Sequence, residues 1–370
     1  MLVYVYLGYP VLVYVVARCF GKQVLHGEME PSVTVLITAY NEQAVIRSKI
    51  ENTLLIDYPA EKLEILVASD GSNDDTEAIV QDFAAQGVVL FRQEGRLGKT
   101  ATQNAAVERA GGEIILFSDA TSMYQPNVLY AIVPNFADSS VGCVAGKLIY
   151  VDDSNSTVGT GAKSYWNYET FLKEYESLAC SLIGVSGCVY AVRKNAYVPM
   201  YPEACSDFLI ATLLYKQGLK TVYEPSAVCA ERTNQKAGVE MSMRVRVISQ
   251  TFTDLWRNRD MLNPMKAGFY SIQLLSHKLL RYSVPIFLVF VFVSSGILAI
   301  SSVLFTIIFA IQVAFYLTAW VAWFLERYGR RSRILAIPLY FVLANIASIA
   351  GFYKFITGER FASWEPARGA

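Results

Sequence analysis

Two aspartates and a lysine carry the first chemical signal in this sequence. Residues 113–118 run Glu-Ile-Ile-Leu-Phe-Ser into Asp119, and residues 63–68 run Leu-Glu-Ile-Leu-Val-Ala into Ser69 and Asp70. Each run reads as a buried strand of a parallel sheet, ending where a carboxylate must leave the core. Open α/β sheets bind ligands beyond the carboxyl ends of their strands, so Asp70 and Asp119 can face one crevice. An aspartate in such a place serves equally well to cap the turn behind it. Gly98 and Lys99 open a helix, where free amides and an ammonium favour a phosphate. The spacing is neither that of a Walker A loop nor that of a GxGxxG turn. A nucleotide would therefore be held without either phosphate loop, and a divalent cation on a carboxylate would supply the missing positive charge.

The elements that must position these groups alternate. A strand over 33–38 leads into the polar turn 39–42 and a helix to about residue 52. After the 63–68 strand, residues 73–76 (Asn-Asp-Asp-Thr) give good capping residues for a second helix. A short strand over 88–91, the helix from about 100 to 109 and the Asp119 strand complete the half. This alternation predicts an α/β fold with a mostly parallel sheet of nucleotide-binding type.

Composition sets this unit between membrane segments. The 370 residues are 54% hydrophobic and only 17% charged, below the roughly 25% of a soluble chain, and the apolar excess lies at the two ends. With 32 basic and 32 acidic residues the formal charge is zero, so no nucleic-acid partner is implied. The six cysteines form no CxxC pair and read as reduced thiols of a cytosolic domain. Only His26 and His277 are present, which argues against a histidine zinc site.

The ordered set of motifs resembles the family-2 glycosyltransferases with a GT-A fold. The segments are Thr-Ala-Tyr-Asn-Glu at 38–42, Ala-Ser-Asp-Gly-Ser-Asn-Asp-Asp at 68–75, Arg-Leu-Gly-Lys at 96–99 and Phe-Ser-Asp-Ala-Thr at 117–121. Within that family the chain looks most like the membrane-embedded branch of hyaluronan, cellulose, chitin and poly-N-acetylglucosamine synthases, over residues 31–260. The resemblance implies that Ala39, Tyr40 and Glu42 line the base or ribose pocket, that Asp70 hydrogen-bonds base or ribose, and that Lys99 lies near the nucleotide. It makes Asp119 the first acid of a DxD motif, a ligand for Mg2+ or Mn2+. Thr121 stands where the second acid belongs, a weaker ligand for a hard cation.

The resemblance continues beyond that motif. Gly187 and Cys188 match a small-residue loop beneath the acceptor, where glycine allows close approach. Trp166 lies in an aromatic-rich helix after a polar loop at 152–161; its ring suits a sugar face, and suits packing as well. Asp207 opens a helix and matches the family's base, which takes the proton of the acceptor hydroxyl as its oxygen attacks the anomeric carbon; it is also a good N-cap. Glu231 follows a strand at 221–225. Arg244 and Arg246 suit a diphosphate, and equally a basic face near anionic lipid. No literal QxxRW occurs: Thr-Phe-Thr follows Gln250, and Trp256 precedes Arg257.

The flanks complete the expectation. Residues 1–20 read as a retained transmembrane helix, with Arg18 and Lys22 placing the 31–260 domain in the cytosol. Residues 264–282 read as an amphipathic interfacial helix, 283–356 as transmembrane helices broken near 294–302, and 357–370 as a basic tail. Span count and the positive-inside rule disagree about the tail's side. The reading is an inverting glycosyltransferase of a bacterial inner (plasma) membrane. It moves a sugar from a UDP-sugar to a growing glycan or lipid acceptor, among membrane lipids, with a second copy or a partner subunit. Single-sugar transfer to a lipid carrier is the alternative. A silent membrane scaffold is a second, suggested by Thr121 and the absent QxxRW.

Overall fold

The computed structural model describes residues 1–151, 157–232, 237–328, 332 and 334–362. Residues 152–156 of the expected polar loop, residues 233–236, residues 329–331 and 333 of the basic loop and residues 363–370 of the tail lie outside them.

The strands are β1 (Val33–Ala39), β2 (Leu63–Ser69), β3 (Val88–Arg92), β4 (Ile114–Asp119), β5 (Met123–Tyr124), β6 (Val141–Val151), β7 (Tyr190–Arg193) and β8 (Lys220–Arg232). They form one sheet in the order β3-β2-β1-β4-β7-β6-β8-β5. The first four are parallel neighbours, as the alternating sequence predicts. β7 then runs antiparallel between β4 and β6, and β5 antiparallel to β8, so the whole sheet is mixed. Every residue of β1 is buried, which explains its unbroken β-branched and aliphatic run.

Two boundaries differ from the sequence expectation, and two short strands were not expected. β8 continues well past Pro225 because the ladder with β6 jumps from Gly146–Glu224 to Lys147–Val228, letting the residue without an N–H bulge out. The helix α6 (Thr157–Ala179) starts inside the expected 152–161 loop, despite Gly159 and Gly161; helix propensity is a weak prior. β5 and β7 are too short to carry a readable period.

The remaining helices seat the sheet. Those bearing on the site are α2 (Ile46–Leu54), α4 (Lys99–Arg109), α7 (Ser206–Lys216) and α8 (Ala237–Arg257). α1 (Tyr9–Phe20), extending a π-helical turn from Tyr4, packs Tyr9 and Val13 on Leu172 of α6, and the Tyr9 hydroxyl donates to Glu176. Tyr4–Phe20 is apolar but short. Val303–Arg327 and Ala336–Ile356 are each long and apolar enough to cross a membrane; Phe269–Leu280 and Val284–Leu298 reach that length only as a pair bent by 55°. The chain is thus an α/β domain joined to membrane-spanning helices. Ala336–Ile356 is fastened to α8: Gly351 lies so close to Ile248 that a Cβ there would meet its side chain at 2.8 Å, and Phe252 packs on Phe352 and Phe355.

Candidate active site

Register brings the first candidates to one edge. Thr38 of β1 lies opposite Ala68 on one side and Asp119 on the other, so the turns after Ala39, Ser69 and Asp119 leave the sheet together. The first two turns are knit to each other. Asn41, at φ 51°, accepts from the Asn73 amide at 2.9 Å, its own amide donates to Ser72 Oγ at 3.1 Å, and the Glu42 amide donates to Thr76 Oγ1 at 2.8 Å. Gly71, at φ +69°, lets this turn pass the Gly95 carbonyl; a Cβ would sit 2.8 Å from that oxygen. Tyr40 is buried with the Arg96 guanidinium 4.0 Å over its ring.

Asp70 organises the next element. Its fully buried carboxylate accepts from the Leu97 amide (2.9 Å), the Gly98 amide (3.0 Å) and Thr102 Oγ1 (2.9 Å). In this conformation it acts as an anchor for the start of α4, fixing Lys99. Thr100 Oγ1 donates to the Ala204 carbonyl at 2.9 Å, and Asn104 Nδ2 to the Met200 carbonyl at 2.6 Å. α4 therefore holds the segment that leads into α7 and Asp207.

Lys99, Asp119 and Asp207 come together around Gly187. A Cβ on Gly187 would lie 3.2 Å from Lys99 Nζ, 3.4 Å from Asp207 Oδ2 and 3.6 Å from Asp119 Oδ2. Lys99 donates to Asp119 Oδ1, both groups being partly exposed. Burial draws the Lys99 ammonium down, but Asp119 and Asp207 outweigh it and hold its pKa above the ordinary lysine value. The loop bearing Gly187 is fixed from below: the Val185 amide donates to the Asp207 carbonyl at 2.8 Å, and buried Lys173 to Ser186 Oγ at 2.6 Å. Gly187→Ala is expected to leave the thermal midpoint within about 3 °C, because the crowded neighbours are side-chain ends. Turnover of the activity proposed below should fall about tenfold or more, because the new methyl crowds Lys99 Nζ at 3.2 Å and fills the space that the three charged groups border; unfolding and steady-state rates on one preparation check both.

The other sequence candidates are distributed differently. The charges of Asp207 and Asp119 act on Arg246, whose pKa burial nonetheless holds below the ordinary arginine value. Arg244 is paired with Glu240 at 2.8 Å and donates to Tyr340 of the last helix. Cys188 is buried in the core, and its carbonyl accepts from Tyr124 Oη at 2.9 Å; it supports the Gly187 loop from beneath. Trp166 stacks edge-on against Tyr150 and lies under Lys173, on the rim of the main core.

Two supporting residues were missed in the sequence. Lys49 sits on the buried stripe of α2 with Ile46, Ile50 and Thr53, and a lysine on an apolar stripe is the signal. Its ammonium donates to the Ser122 carbonyl at 2.6 Å and lies 3.7 Å over the Tyr124 ring; burial pushes its pKa down to about 7. It thus holds the turn after Asp119. Asp254 of α8 accepts from the Cys205 amide at 3.1 Å and from the Tyr201 hydroxyl, bracing the start of α7 two residues before Asp207. Burial raises its pKa to about 8. Because the folded value exceeds the unfolded one near 3.8, its contribution to stability is full below that value. It is lost at up to about 1.4 kcal/mol per pH unit as pH rises toward 8. Thermal midpoints measured from pH 5 to 8 should fall less steeply in Asp254→Asn than in the parent; parallel curves would refute this ionisation.

The architecture, an eight-stranded mixed sheet joined to membrane-length helices among the described residues, is a GT-A-like α/β fold. Residues 34–198 match the glycosyl transferase family 2 profile. It is 26% identical over 221 residues to the poly-beta-1,6-N-acetyl-D-glucosamine synthase of Staphylococcus aureus (strain COL), covering 58% of this chain and 53% of the relative. It is 23% identical over 231 residues to the probable glycosyltransferase YdaM of Bacillus subtilis (strain 168), covering 58% and 54%. The chain thus spans about half the length of these curated relatives. Its fold follows that of the mannosyltransferase PcManGT from Pyrobaculum calidifontis, solved in complex with GDP-Man and Mn2+, at a TM-score of 0.75, 21% identity and 96% coverage of both chains.

Proposed function

We propose that this chain transfers a sugar from a nucleotide sugar, of the UDP-linked kind, to a hydroxyl of a glycan or lipid acceptor, with inversion to a β-glycosidic bond. The observation that carries this reading is the convergence of Lys99, Asp119 and Asp207 on Gly187. Asp207 takes the acceptor's proton as its oxygen attacks the anomeric carbon; the bond from that carbon to the diphosphate breaks, and its electron pair leaves with the diphosphate. Lys99 and Arg246 place positive charge where negative charge develops. Asp119 supplies hard oxygen for a divalent cation, which when bound would neutralise diphosphate charge. The Gly187 loop, lacking a side chain, brings the acceptor close. Two helices long and apolar enough to cross a membrane support a site tied to a bilayer, and the resemblance suits a cytosolic site on a bacterial plasma membrane.

Single transfer to a lipid is the second reading. It is favoured by the few spans: two helices long enough to cross, with one bent pair, among the described residues. A panel of radiolabelled UDP-hexoses, UDP-N-acetylhexosamines and GDP-mannose separates the readings. Purified protein in native lipid is assayed with and without Mg2+ or Mn2+ and with membrane extract added back. Label in a high-mass glycan means polymerisation; one sugar on an extractable lipid means single transfer. No turnover of any donor would sink both and leave the silent scaffold.

A further inference from the structure

We propose that Glu231 supplies the second carboxylate of a divalent-cation site whose first is Asp119, with Thr121 holding it in place; this rests on the transferase reading above. The second acidic position of the motif carries a hydroxyl, yet that hydroxyl is not idle. Thr121 Oγ1 donates to Glu231 Oε1 at 2.7 Å. The sheet sets up the meeting. β5 pairs antiparallel with β8 through Met123–Ala230 and Tyr124–Cys229. One step further along that register brings Glu231 to the turn that follows Asp119, while the β6 ladder holds Glu231 opposite Tyr150. A carboxylate 110 residues away in sequence thus stands one hydrogen bond from the place of the missing acid.

The donor set suits a hard cation. Two carboxylates and a hydroxyl are oxygen ligands, and two negative charges equal those of an intact acidic pair. Asp119 turns Oδ1 to Lys99, while Oδ2 lies 3.6 Å from where a Cβ on Gly187 would stand. The same turn also contains Ser122, whose fully buried hydroxyl has no partner among the described residues. Thr121, donating its proton to Glu231, keeps lone pairs on its oxygen.

Binding of Mn2+ alone is the probe. The full chain in detergent, with UDP present, is titrated with Mn2+ and the free aqua-ion signal is followed by electron paramagnetic resonance. The parent should show one saturable site. Glu231→Gln, which keeps an oxygen for Thr121 but removes the charge, should weaken it at least tenfold. Adding Thr121→Asp in that background should restore affinity to within about threefold of the parent, and this rescue excludes misfolding as the cause. UDP binding without metal should be unchanged throughout. Parental affinity in Glu231→Gln, failure of the rescue, or no saturable site in the parent would each overturn the inference. Because the titration needs no turnover, failure of the transferase reading would register in the sugar panel and not here.

Discussion

Asp207→Asn is expected to lower kcat by about 10²–10⁴-fold while leaving the donor KM within about threefold. The substitution keeps shape and removes the ability to hold a proton. Its structural contacts survive: the Val185 amide bonds the Asp207 carbonyl, not the side chain, and the Cys205 thiol, 3.0 Å from Oδ1, still finds an amide oxygen. Thermal stability should therefore stay near that of the parent. The large loss would lie in the chemical step, because an acceptor hydroxyl without a base must lose its proton to water in a site that partly excludes it. Steady-state kinetics at saturating acceptor, beside donor binding by equilibrium dialysis, separates the two terms. If kcat were unchanged, Asp207 would be only an acid in the first turn of α7, whose N-cap is Cys205, and the base would lie elsewhere. If instead donor binding collapsed, Asp207 would hold the nucleotide sugar in place of the acceptor proton.

Lys99→Met should cost about 10²–10³-fold in kcat, the scale of removing one preorganised charge from a developing anion. The ammonium sits between Asp119 and Asp207, both of which draw it up against the effect of burial. Without it the two carboxylates beside Gly187 lose the ammonium bound to Asp119, and repulsion toward an incoming diphosphate grows. Product inhibition by UDP should weaken alongside kcat, and Lys99→Arg should recover part of both. Loss of folding with no change in UDP affinity among the folded fraction would instead make the Lys99–Asp119 pair a structural tie between α4 and β4.

The order of strands and helices in the first half of the chain was written in the sequence. Aliphatic runs ending in Asp70 and Asp119 read as strands that end at one edge, because period and burial fix where a polar group must leave the strand. The glycine and lysine opening α4, and the apolar ends, were legible for the same local reasons. Resemblance singled out Asp207, but not what holds it. The parts decided by tertiary structure are those with large sequence separation. Asp70 turns its oxygens onto the loop before Lys99. Asp254 braces α7 from α8, Lys49 supports the Asp119 turn from α2, and Glu231 reaches Thr121 from the end of β8. The mixed sheet belongs here too, since β7 inserts antiparallel between β4 and β6 by long-range pairing alone. Local pattern determines which residues leave a strand or face a core. Which of them then meet depends on strand order and on the register of the ladders, and no periodicity within a single segment encodes those.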